Sequence, residues 1–277
     1  MNNEKNNMEK YILGMIAETQ VHVGAGDSSG FVDLPFSRES TTSYPVIHGS
    51  SIKGAFREMF ESYNNNKDSI IKKMFGDDDE GAGNIVFSDA RILLLPVRSL
   101  TSQYKWVTCP YIIERLSRDI ERLKIPSLGK IEVPTNVEKG TALGQGEKLF
   151  LEERLITIKN KIPEEFLNYV KILIKNEKIK KRLDSQLIIL SDDDFKWFAQ
   201  YGLQVNARNI LDQNKISQNL WYEETIPVDS VFYTLIFNRY PNESMEAFIK
   251  FIKENPYFRV GGNETIGQGW FNINVNP

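Results

Sequence analysis

The sequence is poor in the residues that build disulfide-rich, zinc-binding and membrane-spanning proteins. Its 277 residues include one cysteine and two histidines, which excludes an internal disulfide bond and a zinc finger. The longest apolar run, near Ile92–Val97, is too short to cross a bilayer, so we expect no membrane contact. Residues 1–10 are rich in Asn, Glu and Lys, and we expect no signal peptide. The lone Cys109, which we expect to be a buried structural residue, fits a reducing compartment and predicts a cytoplasmic protein.

The sequence also lacks the excess of positive charge that is typical of nucleic-acid-binding domains. Its net charge is −3 and its isoelectric point is about 5.7. Composition alone therefore favours an acidic cytosolic enzyme or scaffold, and any binding of RNA has to use local basic patches. The hydrophobic fraction of 41% and the charged fraction of 26% are those of a globular protein, and the length allows a large core.

What is present is an alternation of apolar strands and amphipathic helices in the outer parts of the chain. Apolar residues at helical spacing predict one helix from Ser50 or Ser51 to Tyr63 and another over Glu243–Glu254. The predicted strands are Tyr11–Glu18, Ile85–Ser88, Arg91–Val97, Trp221–Ile226, Ser230–Phe237 and Trp270–Val275. This order, β-α-β followed by β-α-β, predicts an α+β fold with a ferredoxin-like (RRM-like) core.

The middle of the chain, about residues 101–219, is predicted to consist of insertions on that core. The core takes about residues 11–100 and 220–275, and no linker divides residues 1–277 into two domains. Residues 126–146 combine several glycines with little periodicity, so we expect a mobile, thumb-like insertion there. The other elements predicted in the middle part are helices over Pro110–Lys124, Pro163–Arg182 and Phe195–Tyr201, and strands over Lys148–Ile158 and Gln186–Leu190.

A glycine-rich loop after the first strand is the first candidate for chemistry. It runs from His22 to Gly30, with Asp27 inside it and Asp33 just after it. Histidine can act as an acid or base, and aspartate can hold a hard cation that activates a nucleophile. One aspartate is a poor metal site, so water, an RNA phosphate or another segment has to complete it. A hydrogen-bonded structural role for His22 and a turn role for Asp27 stay open.

A second glycine-rich loop precedes the last strand and could bind an anion through its backbone N–H groups. It opens a strand rather than a helix and lacks the Gly-Lys-Ser/Thr of a P-loop, so a tight hairpin explains it equally well. Lys53 and Arg57 lie four residues apart on one helix and are either a solvated face or a pair of phosphate contacts. The glycines of the loop are Gly261, Gly262, Gly267 and Gly269.

Taken together, these segments resemble the RAMP superfamily of CRISPR proteins. The resemblance is carried by His22-Val-Gly-Ala-Gly26, Gly30-Phe-Val-Asp-Leu-Pro35, Tyr44–Arg57 and the loop Gly261–Gly269. Three further stretches are similar to the family of fourth subunits of type III-B (Cmr) effector complexes. These stretches are Phe87–Leu100, Trp106–Tyr111 and Trp221–Pro227. The likeness runs from about Tyr11 to Val275.

The resemblance implies an RRM-like palm with a thumb-like hairpin, in copies that stack along a CRISPR RNA. It also implies that target RNA paired to this guide is cut at regular intervals with a divalent metal, Mg²⁺ or Mn²⁺. The catalytic and metal-binding aspartate of the family matches Asp33, and its supporting histidine matches His22. The acidic pair of the family matches Glu223 and Glu224. Thr225 stands where relatives often have a tyrosine, so this chain lacks a phenol there.

The same resemblance implies where the RNA is held and which partners the chain has. We expect Lys53, Arg57 and Arg98 to hold guide phosphates, and the second glycine loop to meet the RNA backbone. The Lys-Gly that relatives tend to have after Arg98-Ser-Leu is replaced by Thr101-Ser102. The implied partners are CRISPR RNA, target RNA, other copies of the chain, a large polymerase-like subunit, a small helical subunit and other RAMP subunits.

The sequence therefore predicts an RNA-guided endoribonuclease subunit that works in antiviral defence. Two other classes of function stay open. One is a purely structural RNA-binding subunit, and the other is a stand-alone endonuclease that processes CRISPR RNA. Processing enzymes of this superfamily usually rely on a metal-independent site centred on histidine, so chelation with EDTA separates them from a metal-dependent target nuclease.

Overall fold

The computed structural model describes residues 8–26, 30–63, 68–78, 81–124 and 131–276. The predicted turn residue Asp27 and residues 126–130 of the predicted thumb lie outside this part. The described residues form sixteen strands and seven α-helices. The strands are β1 (Lys10–Ala17), β2 (Val46–Ile47), β3 (Gly76–Asp77), β4 (Gly81–Ala82), β5 (Ile85–Phe87), β6 (Ala90–Arg98), β7 (Tyr104–Thr108), β8 (Thr141–Leu143), β9 (Lys148–Leu151), β10 (Arg154–Asn160), β11 (Leu187–Leu190), β12 (Gln204–Leu211), β13 (Ser217–Thr225), β14 (Val231–Asn238), β15 (Tyr257–Arg259) and β16 (Trp270–Asn276). The helices are α1 (Gly49–Tyr63), α2 (Asp68–Phe75), α3 (Pro110–Leu123), α4 (Glu164–Leu173), α5 (Glu177–Gln186), α6 (Asp192–Tyr201) and α7 (Glu243–Glu254).

The centre of the molecule is an antiparallel sheet in the order β16-β1-β14-β6. Strand β1 is one of the two inner strands of this sheet, so Leu13 pairs with Thr234 on one side and with Val275 on the other. Helix α1 lies in the chain between β1 and β6, and α7 lies between β14 and β16. These are the two split β-α-β units of a ferredoxin-like core, so the predicted α+β fold is confirmed.

Helices cover both faces of the central strand. On one face, Phe56 of α1 stacks on Phe258 with ring centroids 4.3 Å apart and meets Phe248 of α7 edge-on at 5.3 Å. On the other face, α4 lies so close to β1 that a Cβ on Gly14 would be 2.0 Å from the carbonyl oxygen of Leu173. Covering on both sides explains why β1 reads as a continuous apolar run instead of an alternating one.

The inserted middle part extends the central sheet. From β6 the sheet continues through β7, β11, β8, β10 and β9. Strand β8 lies inside the segment 126–146, pairs with β10 and β11, and follows the buried Ile131. For its described part, the prediction of a thumb in this segment is therefore wrong. The reason is that Gly140 and Gly144 bound a strand of only three residues, too short to show a period of two.

The projecting element is instead the hairpin formed by β12 and β13, which stands outside the main sheet. Gln204 pairs with Thr225 at its base, and most side chains toward its tip are exposed. The strand predicted over Trp221–Ile226 belongs to this hairpin and not to the core, which corrects the predicted core boundary near residue 220. Strand β12 was not predicted, because its mixed polar sequence shows neither a strand nor a helix period.

Several local predictions are confirmed and others are refined. The helix predicted over Phe195–Tyr201 is part of α6, whose first turn is capped by the side chain of Ser191. Cys109 is fully buried as predicted, and burial raises the pKa of its thiol. The helix predicted over Pro163–Arg182 is two helices, because the side chain of Asn176 caps a new one. No helix in the described part is long and apolar enough to cross a membrane.

Candidate active site

The base of the hairpin is where the predicted catalytic residues lie. The segment after the first glycine loop runs alongside β13, with Leu34 N–H donating to Tyr222 O and Glu224 N–H donating to Leu34 O, both at 3.0 Å. This pairing is an isolated β-bridge that ties the segment to the base of the hairpin. Because Asp33 immediately precedes Leu34, these two backbone hydrogen bonds hold it next to β13.

Asp33 presents an exposed carboxylate that is held by one of its two oxygens. Its Oδ2 accepts a hydrogen bond of 2.7 Å from the backbone N–H of Tyr222. Its Oδ1 accepts no hydrogen bond from any other residue that the structure describes. The side chain is therefore oriented and still has an oxygen that can contact a ligand, which a buried salt bridge would not allow.

His22, at the start of the first glycine loop, is almost completely buried, with 8% of its surface exposed. Its Nδ1 is 2.8 Å from the carbonyl oxygen of Glu224, so Nδ1–H donates there and the neutral ring carries no proton on Nε2. The same Nδ1 lies 3.4 Å from Oε1 of Glu223. The hairpin thus fixes both the orientation and the tautomer of this histidine.

Glu223 is a buried cross-link between three segments, with 3% of its surface exposed. Its Oε2 accepts a hydrogen bond of 3.0 Å from Nε of Arg208 on the neighbouring strand of the hairpin. Its Oε1 accepts one from the side-chain amide of Asn263 in the second glycine loop. Both oxygens of this buried carboxylate are therefore taken by partners within the protein.

Glu224 is buried on the opposite side of the same strand, because successive side chains of a strand alternate. Its Oε1 lies 2.7 Å from the guanidinium of Arg38, and its Oε2 accepts the backbone N–H of Phe36 at 3.0 Å. Arg38 also donates to the carbonyl oxygens of Ser43 and Ala199. The two acids predicted as a catalytic pair therefore anchor the hairpin from its two faces, and a chemical role for either stays a prediction.

The two glycine-rich loops are brought together. A Cβ on Gly261 would be 2.2 Å from the carbonyl oxygen of His22, and that oxygen accepts the N–H of Gly262 at 2.8 Å. The N–H of Gly269 donates to Gln20 O, and that of Gly267 donates to Glu264 O, both at 2.9 Å. These backbone amides are used within the protein, so RNA at this loop can use the close approach that glycine allows but not these three donors.

A chain of side-chain amides, which the sequence reasoning missed, joins these loops to the hairpin. Asn263 donates to Gln268 at 2.9 Å, Gln268 donates to Gln20 at 3.2 Å, and Gln20 donates to Gln204 at 2.7 Å. Thr225 is fully buried and accepts a hydrogen bond of 3.1 Å from Asn206. The only sequence signal was the presence of Asn263 and Gln268 between the glycines of the second loop.

The basic residues predicted to hold RNA lie in different surroundings. Arg57 donates to Glu61 at 2.7 Å and to the carbonyl oxygen of Gly76 at 2.9 Å. Arg98 is exposed and donates twice to Glu152, at 2.6 and 3.0 Å. Lys53 is half-buried and forms no hydrogen bond or ion pair with another described residue. Of the three, Lys53 is the one whose charge is left for an anion.

The described residues do not form a metal site of their own. Among them, no group of three or more His, Cys, Asp and Glu side chains is arranged to hold an ion. Asp33 can supply one carboxylate ligand, and phosphate oxygens of bound RNA and water would have to supply the others. The expected Mg²⁺ or Mn²⁺ therefore stays a prediction.

Comparison of the sequence with known proteins gives one family and several relatives. A sequence model of the RAMP superfamily matches residues 15–272. The chain is 33% identical to the CRISPR system Cmr endoribonuclease Cmr4 of Pyrococcus furiosus, over 97% of this chain and 96% of that protein. It is 25% identical to the CRISPR system CMR subunit Cmr4 of Saccharolobus solfataricus, over 91% of this chain and 92% of that protein.

Solved structures with a similar fold include free and assembled forms of such subunits. The crystal structure of oligomeric Cmr4 from Pyrococcus furiosus superposes with a TM-score of 0.77 at 29% identity, covering 98% of each chain. A chain of the type III-B Cmr-beta complex bound to cognate target RNA, solved by cryo-electron microscopy, superposes with a TM-score of 0.79 at 23% identity. That superposition covers 96% of this chain and 97% of that chain, and it supports the fold alone.

Proposed function

The chain belongs to the RAMP superfamily, and we propose that it is a repeated, CRISPR-RNA-binding backbone subunit of a type III-B effector complex that cleaves target RNA. The observation that carries the proposal is the 33% identity, over nearly the whole of both chains, to a relative named a Cmr endoribonuclease. The geometry supports it, because an exposed, oriented carboxylate lies at the base of a projecting hairpin. Guide RNA, target RNA, further copies of the chain and other Cmr subunits are the partners of this proposal.

Asp33 is the residue that acts on the RNA in this proposal. The 2′-hydroxyl oxygen of a target nucleotide attacks the adjacent phosphorus, and the bond from phosphorus to the 5′ oxygen breaks. The 2′ proton passes to water and the 5′ oxygen takes up a proton from water, which leaves a 2′,3′-cyclic phosphate and a 5′-hydroxyl. Oδ1 of Asp33 accepts the hydrogen bond of the attacking hydroxyl, while Oδ2 stays bonded to Tyr222.

The buried layer beneath Asp33 supports this geometry. His22, Glu223 and Glu224 hold the hairpin base against the glycine loops, and the bond from Phe36 N–H to Glu224 ties the segment after Asp33 to β13. Lys53, half-buried on α1, would position a guide phosphate without reading the base. A divalent cation held jointly by Asp33 and the RNA would supply neutralisation of phosphate charge.

The proposal places the chain in the cytoplasm, where guide and target RNA are found. The buried, unpaired Cys109 supports this, because such a thiol is stable in a reducing compartment.

Replacing Asp33 tests the proposal. We expect Asp33→Asn and Asp33→Ala complexes to assemble on guide RNA and bind target normally, yet to cut about a hundredfold more slowly, the scale of a lost transition-state contact. The assay is cleavage of end-labelled target by the reconstituted complex, read as cut spacing and rate. Asp193→Asn, an exposed carboxylate on α6, is the matched control.

The outcomes separate the three function classes. Cutting at the wild-type rate by a well-assembled Asp33→Asn complex would remove Asp33 from the chemistry. A wild-type complex that binds guide and target but never cuts would favour the structural subunit. Cleavage of precursor guide RNA by the lone chain in EDTA would favour the processing endonuclease, whereas EDTA should abolish target cutting if the predicted metal is used.

A further inference from the structure

Phe31 is the most exposed large apolar side chain in the described part of the molecule, at 103% of its reference surface. It makes no ring contact with another described residue, although its neighbours fold back against β13. A single exposed apolar residue is ordinary on a protein surface. The position of Phe31, two residues before Asp33, is what makes it informative.

Phe31 and Asp33 are both exposed and lie two residues apart in a bent segment of the chain. Val32 between them and Leu34 after them are partly covered. Tyr222, whose N–H holds Asp33, is itself 43% exposed. The carboxylate that can contact RNA is therefore flanked along its own segment by an aromatic ring open to solvent.

A nucleobase is the ligand that fits this arrangement. An unstacked base offers a flat apolar face, and aromatic side chains are the usual platforms for such bases in single-stranded or interrupted RNA. The phenylalanine side chain has no hydrogen-bonding group, so it stacks on a base without reading its Watson–Crick edge. A base-independent contact suits a subunit whose target sequence is chosen by the guide.

We propose that Phe31 stacks on a base of the target RNA beside the cleaved phosphodiester and so holds the nucleotide for attack at Asp33. This inference rests on the proposed function and adds a positioning contact to it. Stacking restricts rotation of the nucleotide, which keeps the 2′-hydroxyl in line with the leaving oxygen. The ring contributes to the rate through geometry, while Asp33 contributes through its charge.

Four substitutions at one position test the contact. We expect Phe31→Ala to slow single-turnover cleavage about tenfold, which corresponds to about 1.4 kcal/mol. The target affinity of the assembled complex and the positions of its cuts should not change. Phe31→Trp and Phe31→Tyr should retain most of the rate, because both keep a flat ring. Phe31→Leu should be as slow as Phe31→Ala, because it keeps apolar surface but no ring.

A matched control is available at the far end of the sheet. Tyr240 is an exposed aromatic just beyond the end of β14 that is remote from the hairpin base, so Tyr240→Ala should cut at the wild-type rate. Because the Phe31 side chain is fully exposed and makes no ring contact within the described part of the chain, the melting temperature of Phe31→Ala should equal that of the wild type. A lowered melting temperature would assign Phe31 a structural role and overturn the stacking contact.

An abasic target separates stacking on a base from other effects of the ring. Removing the base on one or the other side of the cut should lower the cleavage rate of the wild-type complex. On one of these two abasic targets, Phe31→Ala should cut no more slowly than the wild type. Equal rates for Phe31→Leu and wild type, or failure of Phe31→Ala to assemble on guide RNA, would overturn the inference in favour of an apolar or subunit contact. A wild-type complex that does not cut would instead refute the proposed function.

Discussion

The packing of the second glycine loop on His22 gives a prediction whose size can be worked out from the structure. Gly261 has a φ of +98°, and a Cβ there would lie 2.2 Å from the backbone carbonyl oxygen of His22. Gly267 has a similar φ of +77°, but a Cβ there would meet nothing within 4 Å. The pair therefore separates the cost of a left-handed backbone from the cost of a clash.

An alanine at Gly267 has only the conformational cost, about 1 kcal/mol. An alanine at Gly261 has this cost as well, and its Cβ pushes the two loops apart, which breaks the hydrogen bond from Gly262 to His22. We therefore expect a total cost of about 3 kcal/mol. Replacing glycine by alanine also lowers the conformational entropy of the unfolded chain, and this effect is the same in both variants, so it cancels when the two are compared. For a chain of this size, the melting temperatures should fall by about 3 °C and about 8 °C, respectively.

Thermal unfolding followed by circular dichroism measures both values. Cleavage of target RNA should follow the same order, since the shift of His22 loosens the base of the hairpin in Gly261→Ala but not in Gly267→Ala. Equal melting temperatures for the two variants would refute the close contact between the loops. Normal stability with lost RNA binding in Gly261→Ala would mean that the glycine is needed for the RNA and not for packing.

Two further predictions concern charge. Burial raises the pKa of Glu39, but hydrogen bonds from Arg115 and Thr42 outweigh it and lower this pKa, so the carboxylate stabilises the fold above its unfolded pKa. Glu39→Gln should therefore lower the melting temperature by about 3 °C at pH 7, for a loss of about 1 kcal/mol. The difference should start to shrink as the pH falls below the ordinary carboxyl pKa and should vanish below the lowered folded pKa; a difference that does not shrink on acidification would contradict this. Lys53→Ala should weaken guide binding and reduce the slope of log affinity against log salt by about one, whereas Arg57→Ala should chiefly lower stability, because Arg57 is already bonded to Gly76; equal salt slopes for both variants would contradict this.

The outer strands and helices of the fold could be predicted because each carries its own period. Helix α7 was predicted at its observed bounds, since its apolar residues recur at helical spacing and Asn242 caps it. The hairpin could not be predicted in the same way. Its exposed faces are not sorted into apolar and polar sides, so β12 leaves no pattern, and the glycines of 126–146 drew attention to the wrong segment.

The sequence by itself determined which residues stand near the candidate site. His22, Asp33 and the glycine loops were found from their residue types and spacing, because each of these features lies within a short contiguous segment of the sequence. Only the tertiary structure decided what each of them does. Glu223 and Glu224 are adjacent in sequence, but strand alternation sends them to opposite faces with different partners, whereas Asp33, 190 residues earlier, keeps an oxygen open to solvent. The pairing of a carboxylate depends on contacts between distant segments, and no local period records those contacts.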